Sequence, residues 1–190
     1  MKMKKEDIFR TALKLFRNGI DSVGLREIAT ACGMKAPSLY NHFKSKEDLV
    51  RTLYRESYGI YTSELKSVIR TDVTFKENLF NMISCIYRLY FEDTDRFYFL
   101  LVNQFSFLKY IKMEDEGNMV SFLSSFITQG QLMNEIRRDM SSELLSVIVI
   151  GIVQQPAVGS FYDRVKDDLL LELPKISEIC WNSIKKVDAI

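Results

Sequence analysis

Apolar residues return every three or four positions along almost the whole chain, a period that fits amphipathic helices and leaves little room for strands. Ile8, Ala12, Leu15 and Phe16 set the pattern and predict a helix over about 4–18. Leu25, Ile28, Ala29 and Cys32 continue it over about 25–32, and Gly19 and Gly33 stand where these two helices must stop. Pro37 is tolerated only in a first turn, so the third helix starts at 35 or 36 and ends by 42. Ser45-Lys46-Glu47-Asp48 reads as an N-cap followed by an acidic first turn, opening a fourth helix that runs to about 68. Five longer helices are expected beyond it, over about 75–91, 94–109, 114–130, 141–160 and 166–186. Pro156 and Pro174 should kink or shorten the last two. The expected fold is all-α with about nine helices: an amino-terminal helix-turn-helix domain over 1–48 and a larger helical domain over 49–190. No Gly/Ser-rich linker separates them, so the fourth helix must join them.

A chain of 190 residues with 47% apolar content can bury a real core, and a net charge of only +1 argues against disorder. Cys32, Cys85 and Cys180 are widely spaced and form neither a disulfide framework nor a metal-finger pattern, which points to a reducing cytoplasm. The amino terminus turns acidic at Glu6-Asp7, where a signal peptide needs apolar residues. The longest apolar run, 147–153, is far short of the roughly 20 residues of a membrane span, so no membrane partner is expected. One histidine and no triad partner, no HExxH element, no Cys/His cluster and no Gly-rich phosphate loop leave no catalytic residue, metal or cofactor to assign.

The chemistry concentrates in Leu25–Phe43, where two short helices flank a tight Gly33 turn in the manner of a helix-turn-helix. Ala29 is small where the helices cross, and Gly33 can take the left-handed conformation that reverses the chain. Leu25, Ile28, Met34, Leu39 and Phe43 point inward; Lys35, Ala36, Pro37, Ser38, Tyr40 and Asn41 are left outside. The run Gly33-Met34-Lys35-Ala36-Pro37-Ser38-Leu39-Tyr40-Asn41-His42-Phe43-Lys44-Ser45-Lys46-Glu47-Asp48-Leu49, preceded by Leu25-Arg26-Glu27-Ile28-Ala29, resembles the DNA-binding domain of TetR-family transcriptional regulators over about 45 residues. The stretch from Gly130-Gln131 to Leu144 resembles the spacing before the eighth helix of that family.

In a helix-turn-helix the second helix enters the major groove and its first residues meet base edges. Lys35 can bond guanine acceptors, Ala36 and Pro37 offer apolar contact to a thymine methyl, and Ser38 and Asn41 share the exposed face. Tyr40 can reach a phosphate or lie on a methyl, and Arg26 can reach backbone or base. The resemblance implies phosphate contacts for His42 and Lys46. Three positions depart from the family pattern: Gly24 removes a helix-entry cap, and Lys35 and Lys44 replace a frequent small polar residue and a frequent proline.

The near-zero net charge hides a division. Residues 1–51 carry 11 basic and 6 acidic side chains, and residues 52–190 carry 15 and 19, so a basic reading head precedes an acidic body. The body is rich in large apolar groups, most of which a helical core will use. A minority could line an apolar pocket for a small lipophilic or aromatic effector, with Met82, Ile86, Tyr90, Phe105, Phe122, Phe126 and Gln154 as candidates. Ile148, Gly151 and Ile152 on the eighth helix, with Leu169, Leu173, Ile176, Cys180 and Ile184 on the ninth, are expected at a four-helix homodimer interface. The resulting expectation is a dimeric repressor on a palindromic double-stranded operator, released when an effector changes the tilt of the fourth helix. Two alternatives stay open: a DNA-bound protein-interaction factor without an effector pocket, and a helical lipophilic-ligand carrier with a vestigial helix-turn-helix.

Overall fold

The computed structural model describes residues 5–101 and 119–187. Phe105, and the expected helix ends over 102–118, lie outside the described residues. The described residues form helices α1 (Lys5–Leu15), α2 (Leu25–Ala31), α3 (Ala36–Tyr40), α4 (Lys46–Ser67), α5 (Phe75–Glu92), α6 (Thr94–Leu101), α7 (Met119–Leu132), α8 (Ser142–Phe161) and α9 (Leu169–Ile184). Two 3-10 turns, Phe16–Asn18 and Ile20–Ser22, follow α1 in place of its expected last turn. The backbone divides into two compact units.

The first unit runs from the amino terminus to Ile60, inside α4, and takes in the chain again from Asp93. Its core is Ile8, Phe9, Ala12, Leu13, Phe16, Ile20, Ile28, Ala29, Leu39, Phe43, Leu49, Val50 and Leu53, all buried, joined by Phe97 and Phe99 of α6. Phe16 and Phe99 stack with ring centroids 5.8 Å apart. Polar ties reinforce that packing. The Arg96 guanidinium is buried and donates to Ser57 Oγ at 3.0 Å and to Asp93 at 2.9 Å, with Glu6 at 3.5 Å, while Arg17 pairs with Asp95.

The second unit comprises α4 from Tyr61, then α5, α7, α8 and α9. α8 packs on both α7 and α9, and α5 packs on α8 and α9. Gly130 is closely packed on α7: a Cβ there would lie 2.7 Å from Ile136 Cδ1 and 2.8 Å from the Phe75 ring, so these side chains would have to shift. Neither Pro156 nor Pro174 ends its helix: α8 and α9 run through them. Pro156 has no N–H for the Ile152 carbonyl, and the neighbouring Val153 carbonyl accepts from the buried Tyr87 hydroxyl at 3.0 Å. Ser141 and Asp168 cap the two helices by accepting from Leu144 N–H and Leu170 N–H. One isolated antiparallel bridge, Ile136 to Lys185, is the only β pairing among the described residues.

α8 is long and apolar enough, by length and mean hydropathy, to pass for a membrane span, which the shorter uninterrupted run at 147–153 did not suggest. One third of that span is buried in this chain. The α9 stripe expected at a dimer interface lies elsewhere: Leu169, Ile176, Cys180 and Ile184 are buried within the chain itself. The large apolar side chains left exposed on these two helices are Leu144, Val147, Leu170, Leu171 and Ile179. Gly159 is spent inside the chain as well, against Val165, whereas Gly151 has open space around it.

Candidate nucleic-acid interface

The turn between α2 and α3 is built by two hydrogen bonds of a Schellman motif. Met34 N–H donates to the Ala29 carbonyl at 2.8 Å and Gly33 N–H to the Thr30 carbonyl at 2.9 Å. Gly33 sits at φ +64°, the left-handed region that glycine enters without a Cβ penalty. The chain leaves the turn extended at Lys35 and α3 begins at Ala36, with Pro37 in its first turn. Proline fits there because its missing N–H had no helical acceptor to serve.

This geometry sorts the α3 side chains. Leu39 and Phe43 are buried, Phe43 with its ring 5.7 Å from Phe9, so the helix is pinned from beneath. Lys35, Pro37, Ser38, Tyr40, Asn41 and His42 are exposed, and Ala36 is half-buried. Met34, expected in the core, is only half-buried. Arg26 is exposed on α2, and Gly24 precedes that helix without a side-chain cap. Lys46 in the first turn of α4 donates to the Asp21 carbonyl at 3.3 Å. Ser45 caps α4 by accepting from Asp48 N–H, and Asp48 accepts from Lys44 N–H at 2.9 Å. The Glu47 carboxyl is held below its ordinary range by its own backbone N–H and by the Ser45 hydroxyl. The exposed polar side chains of Arg26, Lys35, Ser38, Tyr40, Asn41 and His42 thus lie on a unit whose core is closed behind them.

Residues that position this surface escaped the sequence reading. Asp21 anchors Lys46 through a backbone carbonyl, which no side-chain pattern signals. Arg96, Asp95 and Ser57 tie α6 to the head across 39 residues or more, beyond any helical periodicity.

The effector candidates among the described residues belong to the second unit. Met82 and Tyr90 of α5 and Gln154 of α8 are buried; Ile86, Phe122 and Phe126 are half-buried. The Phe126 ring is stacked 3.9 Å from Phe75, so part of its surface is already used in packing. Among the described residues no group of three His, Cys, Asp or Glu side chains could hold a metal ion.

Comparison with known proteins places the head. The family described as bacterial regulatory proteins, tetR family, matches residues 8–53. An uncharacterized HTH-type transcriptional regulator, YerO of Bacillus subtilis, is 35% identical over 69 residues, 36% of this chain and 24% of that protein, so the chain spans about a quarter of it. The fatty acid metabolism regulator protein of Bacillus subtilis is 22% identical over 173 residues, covering 88% of each chain. The fold is shared with the transcriptional regulator FadR from Bacillus subtilis, solved in complex with stearoyl-CoA: TM-score 0.72 at 20% identity, over 95% of this chain and all of that one.

Proposed function

Through its amino-terminal domain the chain belongs to the TetR family of bacterial regulatory proteins, and on that premise we propose that it is a repressor that binds a palindromic operator as a homodimer and leaves it on binding a lipophilic effector. The observation that carries the reading is α3: five residues pinned by Leu39 and Phe43, with Lys35, Ser38, Tyr40 and Asn41 turned outward on a basic head. In the proposed complex Lys35, Ala36, Pro37, Ser38 and the Tyr40 ring meet base edges, and Asn41, His42, Lys46 and Arg26 meet the backbone beside them. Selecting duplexes from a random-sequence pool with the full chain tests it. The expected result is enrichment of a palindrome whose affinity falls steeply with salt.

Dimerisation is supported by the apolar residues that α8 and α9 leave uncovered. Leu144, Ile148, Gly151 and Ile152 recur at helical spacing on α8 and are exposed or half-exposed, and Gly151 has room for a neighbouring backbone. On α9 the exposed apolar residues are Leu171 and Ile179, eight positions apart, and Leu170 nearer the buried stripe.

The effector reading rests on the apolar side chains of α5, α7 and α8 and on the stearoyl-CoA complex of a protein with the same fold. A long-chain acyl-CoA is the first compound to test, with coenzyme A alone as its control. The acyl compound should raise the melting temperature and release the enriched duplex; coenzyme A should do neither.

A further inference from the structure

Gly59 lies inside α4, a helix of 22 residues. Glycine is the poorest helix former after proline, and in a helix interior it usually has a packing reason. Within the chain there is none: a Cβ at Gly59 would meet nothing within 4 Å, in contrast to Gly130 and Gly159 and as at Gly151, which unlike Gly59 lies far from the boundary between the two units. Its backbone is also not among the left-handed glycines, which among the described residues are Gly19 and Gly33. The helix is braced on either side of it. Before it, Ser57 accepts from Arg96 at 3.0 Å, Glu56 pairs with Lys5, and the Tyr54 and Tyr58 rings stack at 6.1 Å. After it, Tyr61 and Leu65 are buried and Glu64 accepts from Arg88 at 2.6 Å. Gly59 and Ile60 stand between these braces, both exposed, and the chain passes from one compact unit to the other between Ile60 and Tyr61. A residue that weakens a helix, serves no contact and sits at the unit boundary is placed for bending.

We propose that Gly59 is a specificity-determining hinge: it lets α4 bend between the two units and so sets how wide a range of half-site separations the dimer accepts. The inference rests on the DNA-binding dimer proposed above. Two recognition helices of a dimer must land about 34–36 Å apart or a multiple of that. One added base pair moves a half-site by about 3.4 Å and rotates it around the duplex. A stiff α4 turns that displacement into lost contacts on one side, whereas a bend at Gly59 absorbs it.

The test uses the full chain, the duplex that it enriches, and the same duplex with one base pair added or removed between half-sites. Gly59→Ala should bind the enriched duplex at least as tightly as the parent. On either spacing variant it should lose roughly tenfold more affinity than the parent loses, the scale of one base pair's contacts. Gly59→Gln, a second helix former pointing into open space, should follow alanine. Ser63→Ala, which strengthens the same helix one turn past the boundary, should follow the parent. Spacing profiles of Gly59→Ala and Gly59→Gln that run parallel to the parent's overturn the hinge, as does a Ser63→Ala profile that matches Gly59→Ala. Enrichment of no palindrome by the parent overturns the DNA-binding reading itself, and shows before any variant is made.

Discussion

Lys46 is held to the Asp21 carbonyl, so its ammonium is already stationed on the amino-terminal unit before any DNA arrives. A cation stationed this way contributes a sequence-independent contact. Lys46→Ala should therefore weaken binding to every duplex by a similar factor and lower the slope of log affinity against log salt by about one. Tyr40→Ala should weaken the enriched duplex more than random DNA, because the half-exposed ring stands on the face proposed to meet the groove. Equal losses on both duplexes would place Tyr40 on phosphate alone. At this scale the α3 surface was legible, because Gly33, Pro37 and the inward Leu39 and Phe43 leave one arrangement open. The close packing at Gly130 was legible only as part of a resemblance, since the side chain a Cβ there would meet, Ile136, follows a turn. Gly130→Ala should cost about 1–3 kcal/mol by overpacking, read as a lower melting temperature. Ile136→Val removes the Cδ1 atom 2.7 Å from the new Cβ, so adding it should cost less in Gly130→Ala than in the parent.

Among the elements, periodicity located helices well and their environment poorly. The spacing of Leu169, Leu173, Ile176, Cys180 and Ile184 does mark an apolar face of α9, but α9 also leaves Leu171 and Ile179, eight positions apart, and Leu170 exposed. A helical period records that a face is apolar, not whether its own chain or a second copy covers it. The buried face packs on α5 and α8, leaving the exposed residues for a partner. Similarly, Pro156 was a sound reason to expect a shorter α8, and the buried Tyr87 hydroxyl at the Val153 carbonyl comes from a helix 66 residues away. The dimer proposal predicts that Val147→Asp with Ile179→Asp yields a folded monomer in light scattering, with full helix content by circular dichroism. Such a monomer should bind a single half-site at an affinity far below that of the dimer on the palindrome. A dimer that survives both aspartates would place the interface elsewhere.

For the molecule as a whole, the division into a basic head and an acidic body was present in the charge count, while the true course of the head was not. Its core borrows α6 from beyond α5, through Arg96 and Phe99, and no local pattern announces a unit completed from 93 onward. The same distribution of charge fixes how stability should respond to pH. Glu47, Asp72, Glu77, Asp139 and Glu143 are all held below the ordinary carboxylate range. Arg70 does this for Asp72 and Arg137 for Asp139, each through two hydrogen bonds, and Thr74 does it for Glu77 through its backbone N–H and then its hydroxyl. Glu143, like Glu47, is lowered first by its own backbone N–H. In the unfolded chain these groups return to about 4 and bind protons first as the solution is acidified. Their contribution is therefore whole above that value and is lost as pH falls below it. Cys180 works in the other direction: burial pushes its thiol up to about 12. The unfolded thiol ionises from about 8.5 upward, so the stability tied to the neutral thiol is present below that value and declines as pH rises towards the folded one. The melting temperature should thus hold a plateau between about 5 and 8 and fall on both sides. Cys180→Ala should flatten the alkaline side relative to its own plateau and leave the acid side in place. An unchanged alkaline slope in that variant would assign the loss to other groups that burial raises, Cys85 and Tyr87.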